Sequence, residues 1–367
     1  MCMKYYVIAG EASGDLHGSN LIKEIKKLDT SAQVRAWGGD KMKAAGAELV
    51  KHYKDLAFMG FAEVLKNLPA ILKNISFCKN DISNFQPDVI IFIDYPGFNL
   101  RIAKWAKTKK YKTVFYISPQ AWAWKESRVK AIRRDIDKML VILPFEKDFY
   151  KKWNYEVEYV GHPLVKVIED FKKEHPEIRV SENTVALLPG SRKQEIEMKL
   201  PVMLEATKNF PGHRFIVGKA PSVEDEFYDN FIKDYKNVQV ISNDTYSLLM
   251  KAAAALVTSG TATLETALFG VPEIVCYKAG NVSYQIAKRL VKLKFISLVN
   301  LIMNKEVVKE LIQNDLTSEK ITVNLKAILF DSEKKHQLKE DYSSLKLLLS
   351  EGGNASENAA KSIFSLL

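Results

Sequence analysis

The sequence predicts an α/β protein built from two parallel-sheet domains, and three observations carry that prediction. Short apolar segments rich in β-branched and aromatic residues alternate with amphipathic helical stretches, the pattern of parallel strands covered by helices. The chain has 367 residues, too many for one ordinary core and enough for two. Hydrophobic residues make up 47% and charged residues 27%, values that exclude disordered and fibrous chains.

In chain order, strands are expected at Tyr5–Ala9, Gln33–Trp37, Val89–Asp94, Thr113–Ile117, Met139–Leu143 and Val157–Val160. The second half repeats the pattern at Thr184–Leu188, Arg214–Val217, Val238–Ile241, Ala255–Thr258 and Glu273–Tyr277. The halves share this strand–loop–helix order without sharing a sequence repeat. The boundary is expected between Gly161-His162-Pro163 and Ser181-Glu182-Asn183, giving one domain over 1–165 and a second over 182–340. Beyond about Leu325 only helical patterns remain, and 341–367 reads as a helical tail able to cross back and brace the first domain.

No apolar run reaches the ~18 residues of a membrane-spanning helix. The start, Met1-Cys2-Met3-Lys4-Tyr5, runs straight into a strand and leaves no room for a signal peptide. Cys2, Cys78 and Cys276 are an odd set without ligand spacing, and the six histidines are scattered, so neither disulfides nor a metal nor a cofactor is expected. A cytoplasmic chain fits these features. The net charge is +10, and it is concentrated. Between Arg101 and Lys138 twelve basic residues face only Glu126, Asp135 and Asp137, a net +9. Such a segment attracts nucleic acid, anionic headgroups or phosphorylated substrates, or is simply a solvated helix face. No nucleic-acid module signature accompanies it.

Ligands of open parallel sheets bind at the carboxyl ends of strands, where loops meet helix N-termini. That rule selects four loops. Ala9-Gly-Glu-Ala-Ser-Gly-Asp15 precedes a helix at Leu21–Leu28; its amides and Ser13 suit a hydroxyl-rich acceptor, while Glu11 and Asp15 would repel a pyrophosphate. The alternative is a turn with a capping serine. In Ile93-Asp-Tyr-Pro-Gly-Phe-Asn99, an Asp ending an apolar strand either caps a helix or accepts a proton from a hydroxyl nucleophile. Leu188-Pro-Gly-Ser-Arg192 offers Gly190 for close approach, Ser191 as a cap and Arg192 for a bidentate phosphate pair. Thr258-Ser-Gly-Thr-Ala-Thr-Leu-Glu265 opens a helix with small residues (Ser259, Gly260, Thr261) as an anion cradle, and Glu265 can accept from a ribose diol. One more segment, Phe61, Val64, Leu65, Leu68, Ile71, Leu72 and Ile75, is an apolar stripe at helical spacing that Pro69 should kink. It is either a buried face or a contact for a bilayer or acyl chain.

Ten segments in order carry a resemblance to the lipid-A-disaccharide synthase family. They are the loops above together with Met59-Gly-Phe-Ala-Glu-Val-Leu65, Ser118-Pro-Gln-Ala-Trp-Ala-Trp124, Leu143-Pro-Phe-Glu146, Gly161-His162, Ala287-Lys-Arg-Leu-Val-Lys292 and Ser297-Leu-Val-Asn300. The resemblance runs nearly end to end. It implies a GT-B fold: two Rossmann-like domains facing a cleft, with the nucleotide-sugar on the C-terminal side and a helical tail. It implies an inverting transfer from UDP-2,3-diacylglucosamine to 2,3-diacylglucosamine 1-phosphate, giving a β-1,6 disaccharide 1-phosphate and UDP at the inner-membrane surface. By motif, Asp94 resembles the general base, Glu11 and Ser13 lie on the acceptor side, and Arg192 and Asn300 match residues needed for activity. Gly190, Ser191, Arg192, Ser259, Gly260, Thr261, Glu265 and Asn300 are then the UDP-side set. Val64, Leu65, Leu68, Ile71 and Leu72 are the membrane or acyl-chain set, and a homodimer is compatible with the resemblance.

Other GT-B enzymes, such as a peptidoglycan N-acetylglucosaminyltransferase or a UDP-sugar 2-epimerase, would present similar UDP loops. The Ser118–Trp124 and Met59–Leu65 segments do not fit them. From another class, a non-catalytic anionic-lipid-binding protein would use the +9 segment alone.

Overall fold

In the computed structural model the chain divides into two compact units, Met1–Pro163 with Leu349–Leu367, and Leu164–Leu348. The structure describes all residues except Met1, 57–67, Lys125, Ser222, 281–283 and 286–292, and only the backbone of Leu56, Leu68 and Trp124. Val64, Leu65 and the side chain of Leu68 therefore lie outside the described residues.

The first unit holds seven parallel strands: β1 (Lys4–Ala9), β2 (Gln33–Gly38), β3 (Glu48–His52), β4 (Val89–Ile93), β5 (Lys112–Tyr116), β6 (Lys138–Val141) and β7 (Glu158–Tyr159). Their spatial order is β3-β2-β1-β4-β5-β6-β7. The strands are apolar on both faces because helices cover both. Tyr5, Val7 and Ala9 pack under the helices Ala12–Leu28 and Ala355–Phe364. Tyr6, Ile8 and Phe92 pack under Leu68–Phe85, Pro96–Thr108 and Arg128–Asp135.

The second unit holds β8 (Ser181–Leu188), β9 (Arg214–Lys219), β10 (Val238–Ser242), β11 (Ala252–Thr258), β12 (Glu273–Tyr277) and β13 (Lys309–Ile312), in the order β10-β9-β8-β11-β12-β13. Both sheets follow the Rossmann order, in which winding reverses beside the first strand. The reversals fall between β1 and β4 and between β8 and β11.

Two expectations need correction. Strands β3 and β13 were not anticipated; they are sheet edges, short and charged (Glu-Leu-Val-Lys-His and Lys-Glu-Leu-Ile), where a buried apolar signal is absent. The first helix begins at Ala12, not Leu21. Its glycines are packing contacts rather than breaks: a Cβ on Gly18 would lie 1.8 Å from Met42 Cε. The expected kink at Pro69 falls with the preceding turn, 61–67, which lies outside the described residues; from Leu68 to Phe85 the chain is helical.

The stripe itself divides. Ile75 is buried and Ile71 packs on the core, whereas Leu72 is 56% exposed. The basic segment divides too. Lys107 pairs with Asp137, Arg134 with Asp135, and Lys112 donates to the carbonyls of Leu366 (2.6 Å) and Leu367 (3.1 Å). Part of its charge therefore ties the first unit together.

The end of β4 is pinned by Asn99, fully buried, whose Nδ2 donates to the carbonyls of Asp94 (2.7 Å), Ile93 and Ile8 (both 3.4 Å). Asn99→Ala removes the shared donor and is expected to cost about 1–3 kcal/mol of stability in urea unfolding. Asn99→Asp, which cannot donate there as a carboxylate, should cost at least as much at neutral pH.

Candidate functional site

On the first unit, the loops after β1 and β4 meet at the winding reversal. Ala9 pairs in register with Ile93, so Gly10 and Asp94 leave the sheet side by side. Asp94 (φ +43°) and Tyr95 (φ +49°) both take left-handed backbone, which non-glycine residues adopt only when their surroundings hold them there. The Tyr95 ring lies over Gly10, where a Cβ would come within 2.4 Å of it, and stacks on Phe98 at 5.5 Å. Close approach is why residue 10 is glycine.

Burial pushes the Asp94 carboxyl up to about 6, and the Glu11 carboxylate adds to the shift. The Tyr95 amide and the Arg128 guanidinium pull it back. Glu11, at the N-cap of the helix Ala12–Leu28, and Ser13, in its first turn, are both exposed. Asp15 does not belong to this face, contrary to expectation. It is buried and accepts from the amides of Gly39 (2.8 Å), Met42 (3.0 Å) and Lys41 (3.1 Å), holding the following strand–helix turn. Its carboxylate is engaged by that turn instead of facing the loop that Glu11 and Ser13 present. Arg128 was visible in the sequence only as one of twelve cations; nothing in its spacing marked it.

On the second unit, the loops after β8 and β11 line one pocket of about 350 Å³. Gly190, Ser191 and Arg192 form one side, and Ser259, Gly260 and Thr261 another. Gly190 has φ +137°, and a Cβ there would meet Glu195 Oε2 at 2.6 Å. Glu195 accepts from the Ser191 amide (3.2 Å) and lies 3.5 Å from Arg192 Nη1. Arg192 remains 57% exposed. Gly260 is the N-cap of the helix Thr261–Phe269 with φ +146° and no side-chain cap, so the first-turn amides of that helix have no capping side chain. The Ser259 hydroxyl donates to the Ile296 carbonyl (2.8 Å) and serves the fold.

Two residues expected on the UDP side stand elsewhere. Glu265 does not line the pocket; it accepts from the Tyr246 hydroxyl (2.8 Å), and burial raises its pKa. Asn300 is 0% exposed. Its Oδ1 accepts from the amides of Val307 and Val308, and its Nδ2 donates to the Val308 carbonyl and Glu310. Those four bonds satisfy the side chain inside the fold.

The sequence reading missed the Gly218–Pro221 loop after β9 and Thr245, which complete the pocket wall. The strand-end rule applied to β9 would have found the loop. It also missed Lys199, buried beneath the wall with its ammonium donating to Thr258 Oγ1; a lysine inside an amphipathic helix gives no advance sign of that. Among the described residues no group of His, Cys, Asp and Glu is placed to hold a metal, and no helix is long and apolar enough to cross a membrane.

The chain is similar to known proteins in both sequence and fold. Residues 5–364 match the family described as Lipid-A-disaccharide synthetase. The lipid-A-disaccharide synthase of Syntrophus aciditrophicus is 38% identical over 98% of this chain and 97% of its own. That of Geobacter metallireducens is 37% identical over 98% and 96%. Among solved structures, UDP-GlcNAc 2-epimerase of Neisseria meningitidis bound to UDP-GlcNAc superposes with a TM-score of 0.68 at 13% identity, covering 99% of this chain and 100% of that one. The glycotransferase of kitacinnamycin superposes with a TM-score of 0.66 at 14% identity, covering 100% and 99%. At such identities the structural likeness speaks for the two-domain Rossmann-like fold alone, whereas the sequence match runs through both sites from β1 to the last helix. On that match, this chain belongs to the lipid-A-disaccharide synthase family.

Proposed function

We propose that the chain is an inverting glycosyltransferase that joins UDP-2,3-diacylglucosamine to 2,3-diacylglucosamine 1-phosphate. The products are the β-1,6 disaccharide 1-phosphate and UDP. The observation that carries the reading is Asp94, a carboxylate on a constrained strand end with a pKa raised to about 6. That value suits a base at neutral pH: ionised, yet more basic than an ordinary aspartate.

Asp94 takes the proton of the acceptor 6-hydroxyl as that oxygen attacks the anomeric carbon. The anomeric carbon–oxygen bond to UDP breaks, and its electrons leave on the diphosphate. The uncapped amides of Thr261–Phe269 and Arg192 stabilise that charge. Glu265, oriented by Tyr246, takes the ribose hydroxyls. Asn300 acts by tying the helix Leu298–Met303 to Val307, Val308 and Glu310. Glu11 and Ser13 border the acceptor.

Asp94→Asn keeps size and removes basicity, so turnover should fall by about 10²–10⁴ with donor binding little changed. In the wild type, kcat/KM should fall as pH drops through about 6, because the base must be ionised; Asp94→Asn should lose that limb. Wild-type turnover by the variant would remove Asp94 from the mechanism.

Arg192→Ala should weaken UDP by roughly 10- to 150-fold in calorimetric titration, the loss of one charge-assisted contact. The effect on turnover should be larger than on binding, since phosphate charge grows as UDP departs. Unchanged affinity would move the diphosphate elsewhere.

Peripheral membrane association is part of the same proposal. It is supported by the exposed Leu72, on a helix packed against Pro96–Thr108, which begins the basic segment. Leu72→Ser should reduce binding to phosphatidylglycerol vesicles and leave the melting temperature nearly unchanged, with residual binding weakened by salt. A large fall in melting temperature with unchanged vesicle binding would make Leu72 a packing residue.

A further inference from the structure

Lys199 is 2% exposed and has no part in the mechanism above. It stands on the buried face of the helix Lys193–Thr207, beside Ile196, Leu200 and Met203, where an apolar side chain would serve the core. A buried ammonium is unfavourable unless it is paired, and among the described residues no ion pair includes it. Glu195, one turn earlier, accepts from the Ser191 amide (3.2 Å) and lies 3.5 Å from Arg192 Nη1. The hydrogen bond that Lys199 does make among the described residues runs from Nζ to Thr258 Oγ1.

The direction of that bond is fixed by chemistry. An ammonium has three donors and no acceptor, so the threonine hydroxyl must accept and its own proton is left for another group. Thr258 gives that proton to no acceptor among the described residues. It ends β11, is half-buried, and lines the pocket of about 350 Å³ with Gly190, Arg192, Ser259, Gly260 and Glu195. Apart from Glu195, already engaged, the groups gathered there are donors: the Arg192 guanidinium, the uncapped amides of the helix Thr261–Phe269 and this hydroxyl. Such a set suits an anion.

We propose that Lys199 is a positioning residue and Thr258 a binding residue of this pocket. The buried ammonium turns the Thr258 hydroxyl outward as a donor to a phosphate oxygen of a nucleoside diphosphate. The identity of that ligand rests on the functional reading above. Burial lowers the Lys199 pKa, in keeping with a cation kept under the site at a cost in solvation.

Lys199→Met fills similar space without charge or donor. Its melting temperature should hold or rise, because a buried unpaired charge is gone, while UDP affinity in calorimetric titration should fall roughly 10-fold or more. Thr258→Val should weaken UDP by a similar factor, and Thr258→Ser should restore it. Since both side chains act through one hydrogen bond, the double variant should lose less than the product of the two single losses. Thr258→Val strands the ammonium and should lower the melting temperature, and adding Lys199→Met should recover it. The two Thr258 variants carry the test if Lys199→Met does not fold. A lower melting temperature in Lys199→Met with unchanged UDP affinity would make Lys199 a packing residue and overturn the proposal. Losses that multiply in the double variant would overturn it too, as would wild-type affinity in Thr258→Val. In each of these cases the wild type still binds UDP and the donor-site reading stands; a wild type that does not bind UDP would overturn that reading and the proposal with it.

Discussion

Parallel pairing around β1 and β8 is the constraint on which the rest depends. Parallel strands need right-handed crossovers, so each strand hands its chain to a helix at the carboxyl edge. Where winding reverses, between β1 and β4 and between β8 and β11, successive loops turn to opposite faces and leave an open crevice. Gly10–Ser13 and Asp94–Gly97 border the first crevice; Gly190–Arg192 and Ser259–Thr261 border the second. The proposed base and the proposed phosphate cradle occupy topologically equivalent places in two sheets with no sequence repeat between them. Backbone topology, rather than a shared motif, put them there.

The two crevices are tuned differently. In the second unit the tight loops begin with glycine, at Gly190 and Gly260, so left-handed or extended approach costs little. In the first, the turn after β1 opens on Gly10, but those after β4 and β5 use Asp94, Tyr95 and Ile117, which must be held. Asn99 supplies the restraint beneath Asp94, and the Ser118–Tyr150 hydroxyl pair and the Trp122–Phe145 ring contact hold the loop that Ile117 begins. A phosphate cradle needs backbone amides and therefore small residues. A base needs a side chain at a fixed place, and the backbone must bear the strain of presenting it.

This difference explains how much was legible in the sequence. The buried strands could be read directly because their faces are apolar on both sides; the charged edges β3 and β13 could not. The glycine-rich loops of the second unit announced themselves, as did an aspartate ending Val-Ile-Ile-Phe-Ile. The supports did not. Asp15, Asn99 and Asn300 bond the backbone of Gly39, Ile8 and Val308, which lie 24, 91 and 8 residues away in sequence, and periodicity carries no record of such pairings. Sequence reading accordingly placed Asp15 on the ligand face and Asn300 on the nucleotide side, whereas both are satisfied within the fold.

Polar residues at these strand ends thus fall into two kinds, and the geometry separates them. Asp15 and Asn300 have their hydrogen-bonding capacity met by the protein, and altering them would unpair several buried groups at once. Asp94 and Arg192 keep capacity for something else: a carboxylate held more basic than usual beside Glu11 and Arg128, and a guanidinium more than half exposed beside a pocket. Both sit at a winding reversal, the place where open parallel sheets offer charged groups to a ligand. In the proposed reaction these two groups would meet the proton released by the acceptor and the charge that develops on the departing diphosphate.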